Sequence, residues 1–288
     1  MKLLSFTASG GDSYGVVAGD GVIDLGARLG NRYPKLRDAI AANAMADLIA
    51  ATTGAKSDFK LSEVKFRLPV PNPERVFCIG RNYKGHVAEA GSKLPENPSL
   101  FLRLLDSLVP HGSALVRPRV SNDMDYEGEL ALVIGKPGRH IARADALKHV
   151  FGYTILNDGS VRDYQFKHSL IVGKNFAQTG SVGPWLVTSD EISDPTQLHL
   201  ATRLNGVEVQ RSKTDDLIFD IPTIISYIST FTPLIAGDII ATGTPEGVGF
   251  ARKPPLWMKP GDVIEVEISS IGVLRNTVVA EEARRRNQ

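Results

Sequence analysis

A strand-rich α+β fold in two unequal parts is what this sequence predicts, and three observations carry it. Short apolar runs punctuated by Gly, Pro and Asp recur along most of the chain. Few segments have the length and spacing of helices. Pro69, Pro71 and Pro73 alternate, which disfavours helix and cannot sit in a central strand, so they mark a boundary. The expected division is residues 1–70 as a small α+β domain and residues 71–288 as a larger domain that carries the chemistry.

Residues 2–7, 14–18 and 21–25 read as strands broken by Gly-Gly-Asp and Gly-Asp-Gly turns, and an alanine- and leucine-rich helix follows from about Leu36 to Ala51. From Arg75 onward short strands dominate. One helix stands out there. Pro222 suits a first helical position, and Ile221, Ile224, Ile225 and Ile228 fall at i, i+3, i+4 and i+7, giving one apolar face to pack on a β core.

At 288 residues and 42% hydrophobic content the chain can bury a full core. Its 33 basic and 32 acidic residues leave a net charge of +1, and the only basic run is Arg284-Arg285-Arg286, so electrostatic binding to nucleic acid or to a membrane surface is not expected. The one cysteine, Cys78, follows an apolar Val-Phe pair and reads as a small core residue. The N-terminus lacks a long apolar segment, and no apolar run approaches the roughly eighteen residues of a membrane span. A cytoplasmic protein is expected.

The most informative residues are Glu127 and Glu129, spaced i, i+2 before the run Leu-Ala-Leu-Val-Ile, so that both project from one face of a strand. Two like charges at the edge of a buried strand call for a cation. Asp158, closing the next candidate strand, supplies a third acid. Three oxygen ligands without histidine or cysteine suit a hard ion: Mg²⁺, Mn²⁺ or Ca²⁺.

Further candidates lie elsewhere. His86 and Glu89, three residues apart, can meet on one face of a short helix, where the carboxylate would fix the tautomer and raise the basicity of the free ring nitrogen. Lys174, in Val-Gly-Lys-Asn-Phe, could neutralise an enolate or a substrate carboxylate. The turn Thr242-Gly-Thr-Pro-Glu-Gly-Val-Gly249 is either a plain hairpin loop or one whose backbone N–H groups could cradle a carboxylate. It lacks the Gly-Lys-Ser/Thr ending of a P-loop, and no Gly-x-Gly-x-x-Gly opens a helix, so nucleotide binding has no support.

Taken in order, these motifs resemble the fumarylacetoacetate hydrolase (FAH) family, in particular acylpyruvase-type members with a small N-terminal domain. They are Gly-Arg-Asn-Tyr-x-x-His-x-x-Glu at 80–89, Asp-Tyr-Glu-Gly-Glu-Leu-Ala at 125–131, Asn-Asp-Gly-Ser-Val-Arg-Asp-Tyr-Gln at 157–165, Gly-Lys-Asn-Phe at 173–176, Gly-Pro-Trp at 183–185, Asn-Gly at 205–206, and the turn at 242–249. The resemblance implies a catalytic domain of mixed β-sheet rolled around a metal, and a homodimer. By matching position it implies Glu127, Glu129 and Asp158 as ligands of Mg²⁺ or Mn²⁺, and His86 with Glu89 as a water-activating dyad on a mobile lid. Lys174, Arg162, Gln165 and Thr244 would contact substrate, and Arg81 and Tyr83 in the first motif are further substrate-contact candidates. The chain departs from the family at Phe101-Leu102-Arg103-Leu104, where many members have Phe-x-Lys-Pro, and at Ala177, where many have an acid. Both departures are expected near the substrate.

The expected activity is hydrolytic cleavage of a C–C bond in a 2,4-dioxo acid of acylpyruvate or fumarylpyruvate type, giving a 2-oxo acid and a carboxylic acid. Oxaloacetate decarboxylation, or isomerisation or hydration of an unsaturated 2-oxo acid, would use the same enolate chemistry. A non-catalytic 2-oxo-acid-binding protein is the alternative from another class, and it would be expected to lack a ligand or a dyad member.

Overall fold

The computed structural model describes residues 1–282, so the Arg284–Arg286 run lies outside the described residues. The chain opens with a meander of β1 (Lys2–Ala8), β2 (Gly11–Ala18) and β3 (Gly21–Asp24), all antiparallel. A short helix α1 (Leu25–Leu29) follows, capped by the Asp24 side chain, which accepts from Ala27 N–H at 2.9 Å. The single helix expected over 36–51 is two, α2 (Leu36–Ala41) and α3 (Met45–Thr52). Asn43 sits between them at φ 52°, the left-handed region where asparagine is tolerated, and it turns the chain. Two short strands, β4 (Phe59–Lys60) and β5 (Lys65–Phe66), close this part.

The Pro69–Pro73 stretch lies outside strands and helices. Beyond it come β6 (Val76–Gly80), helix α4 (Lys84–Glu89), β7 (Ser99–Arg103), β8 (Leu108–Pro110), β9 (Leu115–Arg117), β10 (Met124–Asp125) and β11 (Gly128–Ile134). Next are β12 (Val150–Asn157), β13 (Ser160–Val161), helices α5 (Arg162–Lys167) and α6 (Leu170–Lys174), β14 (Gly180–Thr188), β15 (His199–Leu204) and β16 (Val207–Lys213). Helix α7 (Ile221–Phe231), β17 (Ile239–Ala241), β18 (Val263–Ile268) and β19 (Gly272–Ala280) complete the order.

Two mixed sheets result. The larger runs β4-β3-β2-β1-β14-β12-β11-β17-β6-β7, so strands from both sides of the proline stretch share one hydrogen-bonded sheet, joined where Lys2 and Leu3 pair with Val187 and Leu186. The smaller runs β16-β15-β18-β19-β9. Parallel pairs occur at β17–β6, β14–β8 and β19–β9 among otherwise antiparallel neighbours.

Strand alternation decides which core each residue enters. Along β11, Leu130, Leu132 and Ile134 pack with β12, β18 and α7, whereas Ala131 and Val133 face the core shared with α2 and α3. With both faces covered, β11 is buried throughout, which explains its unbroken apolar run. Helix α7 begins and packs as its spacing predicts: Pro222 lies in the first turn, Asp220 caps it through Thr223 N–H at 2.9 Å, and all four isoleucines are buried.

Candidate metal centre and active site

Antiparallel pairing of β11 with β12 sets Gly128 opposite Asn157, which brings Glu127, just before one strand, beside Asp158, just after the other. The Asp158 N–H donates to the Glu127 carbonyl at 2.8 Å, and the Glu127 N–H donates to Asn157 Oδ1 at 3.0 Å. Glu129 follows on the same face as Glu127. One carboxylate oxygen from each of the three acids lies within 4.8 Å of the others, and all three side chains are buried. The residue between the glutamates has no room for a side chain, because a Cβ on Gly128 would sit 2.3 Å from Thr202 Oγ1 of the smaller sheet.

The sequence suggested that these acids await an external ion, but the protein already sets three cations of its own against them. Lys174, at the end of α6, donates from Nζ to Glu127 Oε2 and to Asp158 Oδ2, each at 2.6 Å. Arg162, opening α5, donates to Glu127 Oε1 at 2.6 Å and to Asp125 Oδ2 at 2.8 Å. Arg103, at the end of β7, donates to Asp158 Oδ1 at 2.5 Å. The four acids, Asp125 included, therefore outnumber the paired cations by one, and Glu129 is the one left without a cationic partner.

Charge states follow. Burial alone would push the Glu127 carboxyl up, but Lys174 and Arg162 outweigh it and bring it down to about 2. Glu129 goes the other way, pushed well above the usual carboxylate range by burial and then by the Asp158 and Glu127 charges; its Oε2 accepts one backbone donor, Gly243 N–H, at 2.8 Å. Burial lowers the Lys174 ammonium, and Asp158 and Glu127 more than restore it, so its pKa is raised and it stays charged. Three buried carboxylates with converging oxygens, one of them lacking a counter-charge, fit a hard divalent ion.

Opposite this floor sits α4. His86 Nδ1 lies 2.8 Å from Glu89 Oε1, and Glu89 Oε2 accepts Gly247 N–H at 2.8 Å. A carboxylate at Nδ1 selects the tautomer whose Nε2 is free to accept a proton. The loop after β17 does cradle carboxylates, though they are the protein's own: Gly243 N–H serves Glu129, Gly247 N–H serves Glu89, and Gly249 N–H serves Asp125 at 2.7 Å. Gly243 adopts φ 103°, a conformation that L side chains rarely take, and a Cβ there would meet Asn82 at 2.8 Å.

A cavity of about 370 Å³ joins roof and floor. Its wall includes His86, Lys174 and all three acids, with Arg81, Arg162, Gln165 and Thr244. Arg162 Nη1 donates to Gln165 Oε1 at 2.9 Å. The Thr244 hydroxyl donates to the Gly128 carbonyl at 3.0 Å and accepts from Gln210 at 2.9 Å. Two expectations need correction. Tyr83 caps the start of α4 with its side chain wholly buried and outside the cavity wall, where burial, and then the Glu129 charge, raise the pKa of its phenol. Arg103 lies behind Asp158 rather than near the substrate, bonded also to Ser107 and Thr179, and Ala177 is exposed away from the cavity wall.

Three residues escaped the sequence reading. Asp125 accepts from Arg162 and from the N–H groups of Gly249 and Phe250, so it ties α5 to the glycine loop. Its position two residues before Glu127 was the available signal. Asn82 is fully buried and fixes the start of the α4 segment to Phe219 and Thr242. Arg103, noted only as a departure, holds a metal-ligand candidate; nothing local reveals a partner 55 residues away.

The sequence pattern of the Fumarylacetoacetate (FAA) hydrolase C-terminal family matches residues 75–279. The chain belongs to this family. Among curated relatives, the oxaloacetate tautomerase YisK of Bacillus subtilis is 44% identical over 225 residues, covering 76% of this chain and 75% of its own length. Two solved FAH-family-like structures are similar over 98% of this chain and the whole of theirs. The maleylpyruvate hydrolase of Sphingobium sp. SYK-6, in complex with manganese(II) and pyruvate, has a TM-score of 0.82 at 32% identity. The 5-carboxymethyl-2-hydroxymuconate delta-isomerase of Mycobacterium smegmatis has a TM-score of 0.77 at 29% identity. Family members bind divalent metals, and the three-carboxylate cluster is where such an ion fits here. Among the described residues no helix is long and apolar enough to cross a membrane.

Proposed function

We propose that this chain moves a proton at the carbon beside the carbonyl of a 2-oxo acid, with keto–enol interconversion of oxaloacetate as its reaction. The observation that carries this is the shared cavity: a carboxylate-oriented imidazole faces three converging acids across it. The 44% identity to an oxaloacetate tautomerase supports the choice of substrate.

Glu127, Glu129 and Asp158 would hold a divalent ion, which would supply Lewis-acid polarisation of a bound 2-oxo acid. The remaining work falls to side chains. His86, with Nδ1 fixed against Glu89, offers Nε2 to the C3 proton of the keto form, and Glu89 steadies the imidazolium that results. Returning that proton to the C2 oxygen gives the enol; running the same transfer backwards gives the ketone. Lys174 keeps Glu127 and Asp158 compensated, so charge developing on the substrate does not meet three bare anions.

Hydrolysis of a 2,4-dioxo acid is the second reading, because the same Nε2 could take a proton from a water attacking C4, and the structure resembles a maleylpyruvate hydrolase. A panel at saturating Mg²⁺ separates the two. Oxaloacetate tautomerisation faster than the buffer rate, without acid release from acylpyruvate or fumarylpyruvate, is the expected result. Release of a carboxylic acid from those substrates, with no effect on oxaloacetate, would establish the hydrolase instead. Inertness toward all of them would leave a binding protein, although no ligand or dyad residue is missing.

A further inference from the structure

We infer that Phe250 is a positioning residue for proton transfer: its ring, braced on Arg162, fixes the rotation of the His86 imidazole opposite the three acids. This deepens the reading given above and rests on it, since Phe250 has no such role unless His86 carries the proton. Phe250 stands in the cavity wall with both residues. Its ring centroid lies 4.6 Å from the Arg162 guanidinium carbon and 6.4 Å from the centre of the His86 ring, which it meets edge to face at 84°. Phe166 packs against a third side at 5.4 Å.

The brace is firm. Arg162 donates from Nε to Asp125 at 2.8 Å, from Nη1 to Gln165 at 2.9 Å and from Nη2 to Glu127 at 2.6 Å. Those bonds lie in the guanidinium plane and leave its face to the ring, as a cation–π contact requires. The backbone that carries the ring is pinned as well: Gly249 and Phe250 donate their N–H groups to the two oxygens of Asp125, at 2.7 and 3.1 Å, and a Cβ on Gly249 would sit 2.0 Å from the Leu256 carbonyl oxygen.

His86 needs a stop of this kind. Its contact with Glu89, at 2.8 Å, anchors Nδ1 alone and leaves the ring free to pivot about that bond. An edge-to-face neighbour opposes the pivot, because the aromatic quadrupoles favour that geometry. Glu89 is itself held by the N–H of Gly247, three residues before Phe250. Both constraints on the imidazole therefore come from the turn after β17, and not from α4, a helix of six residues.

The test separates aim from binding. Phe250→Leu keeps an apolar wall and loses the ring, so in the Mg²⁺-saturated protein kcat for oxaloacetate tautomerisation should fall about 10–100-fold, the effect of misplacing a reacting group by about an ångström, while KM and the Kd of oxalate stay within about twofold. Phe250→Tyr should restore most of the rate. In a His86→Ala background Phe250→Leu should have no further effect, because a residue that acts through His86 then has nothing to aim. The imidazole Cε1–H resonance of His86, read in the Mg²⁺-loaded full chain without turnover, should move in Phe250→Leu as the ring current is lost and return in Phe250→Tyr. Should Phe250→Leu not fold, Phe250→Met carries the same expectations. A raised KM with kcat unchanged, an equal loss in the His86→Ala background or an unmoved resonance overturns the assignment and leaves the proton-transfer reading intact. If the parent has no tautomerase activity, or His86→Ala keeps all of it, that reading fails, and the role of Phe250 falls with it.

Discussion

The floor and the roof of the cavity are built to different standards. The floor consists of Glu127, Glu129 and Asp158 on two paired strands, locked by Lys174, Arg162 and Arg103, each of which bonds at least two partners. The roof is a six-residue helix whose imidazole, His86, is held by one carboxylate, itself anchored by one backbone N–H. A helix this short has little stability of its own. The metal-site acids are therefore held by the sheet, whereas the pair proposed for proton transfer lies on a small docked piece.

The comparison breaks most readily at Glu127. Glu127→Gln should lower Mn²⁺ affinity by more than 100-fold, and it should also destabilise the metal-free protein by about 3–5 kcal/mol, because it leaves Lys174 and Arg162 buried with less negative charge. Glu129→Gln should lose comparable affinity with no loss of stability, or with a gain, since Glu129 has no cationic partner and is repelled by the other two acids. Calorimetry and thermal unfolding of the two variants side by side decide it. Equal stability losses would mean that the floor is not organised around the cation pairs.

Disabling the roof should spare the floor. His86→Ala should reduce kcat by about 10²–10⁴ while Mn²⁺ affinity stays within twofold, because no metal ligand lies on α4. Parallel measurement on oxaloacetate and an acylpyruvate sharpens this: equal fractional losses point to proton transfer common to both, and loss of hydrolysis alone points to water activation. Full activity on both substrates would remove the dyad from the mechanism.

Smaller effects should come from the ion and from the lid. Chelation should remove the binding linkage, about 2.7 kcal/mol of stability when the ion stands 100-fold above its Kd, and this is read as a fall in melting temperature. An unchanged melting curve across chelator and Mg²⁺ would count against an ion bound by the folded floor. Oxalate should slow hydrogen exchange across residues 83–98 and leave β11 and β12 unchanged. Protection spread evenly over both regions would contradict the division into a rigid floor and a separately docked roof.

How much of this was legible depends on whether the signal was local. The i, i+2 acids, the isoleucine stripe of α7 and the strands β1 to β3 follow from periodicity, and the structure has them close to where the sequence put them. The break between α2 and α3 was not legible because Asn43, which takes the left-handed turn between them, lies in an alanine-rich run that otherwise reads as helix. The cation lattice was missed because Arg103 and Lys174 reach acids 55 and 16 residues away, and sequence spacing says nothing of such contacts. The glycine loop could be read as a carboxylate cradle or as a plain hairpin loop, and that it holds the protein's own Glu129, Glu89 and Asp125 is a property of the folded molecule.

That loop gives the molecule a single point of adjustment. Between Gly243 and Phe250 four amides grip Glu129, Glu89 and Asp125, which belong respectively to the acid cluster that fits an ion, the His86–Glu89 pair and the anchor of Arg162. Pro245 and Glu246 lie between the amide that holds Glu129 and those that hold Glu89 and Asp125. Substitutions in this turn should therefore behave as pleiotropic changes, altering ion preference and reaction balance in one step, and in a library screened for new activity they should be enriched well beyond their distance from the substrate.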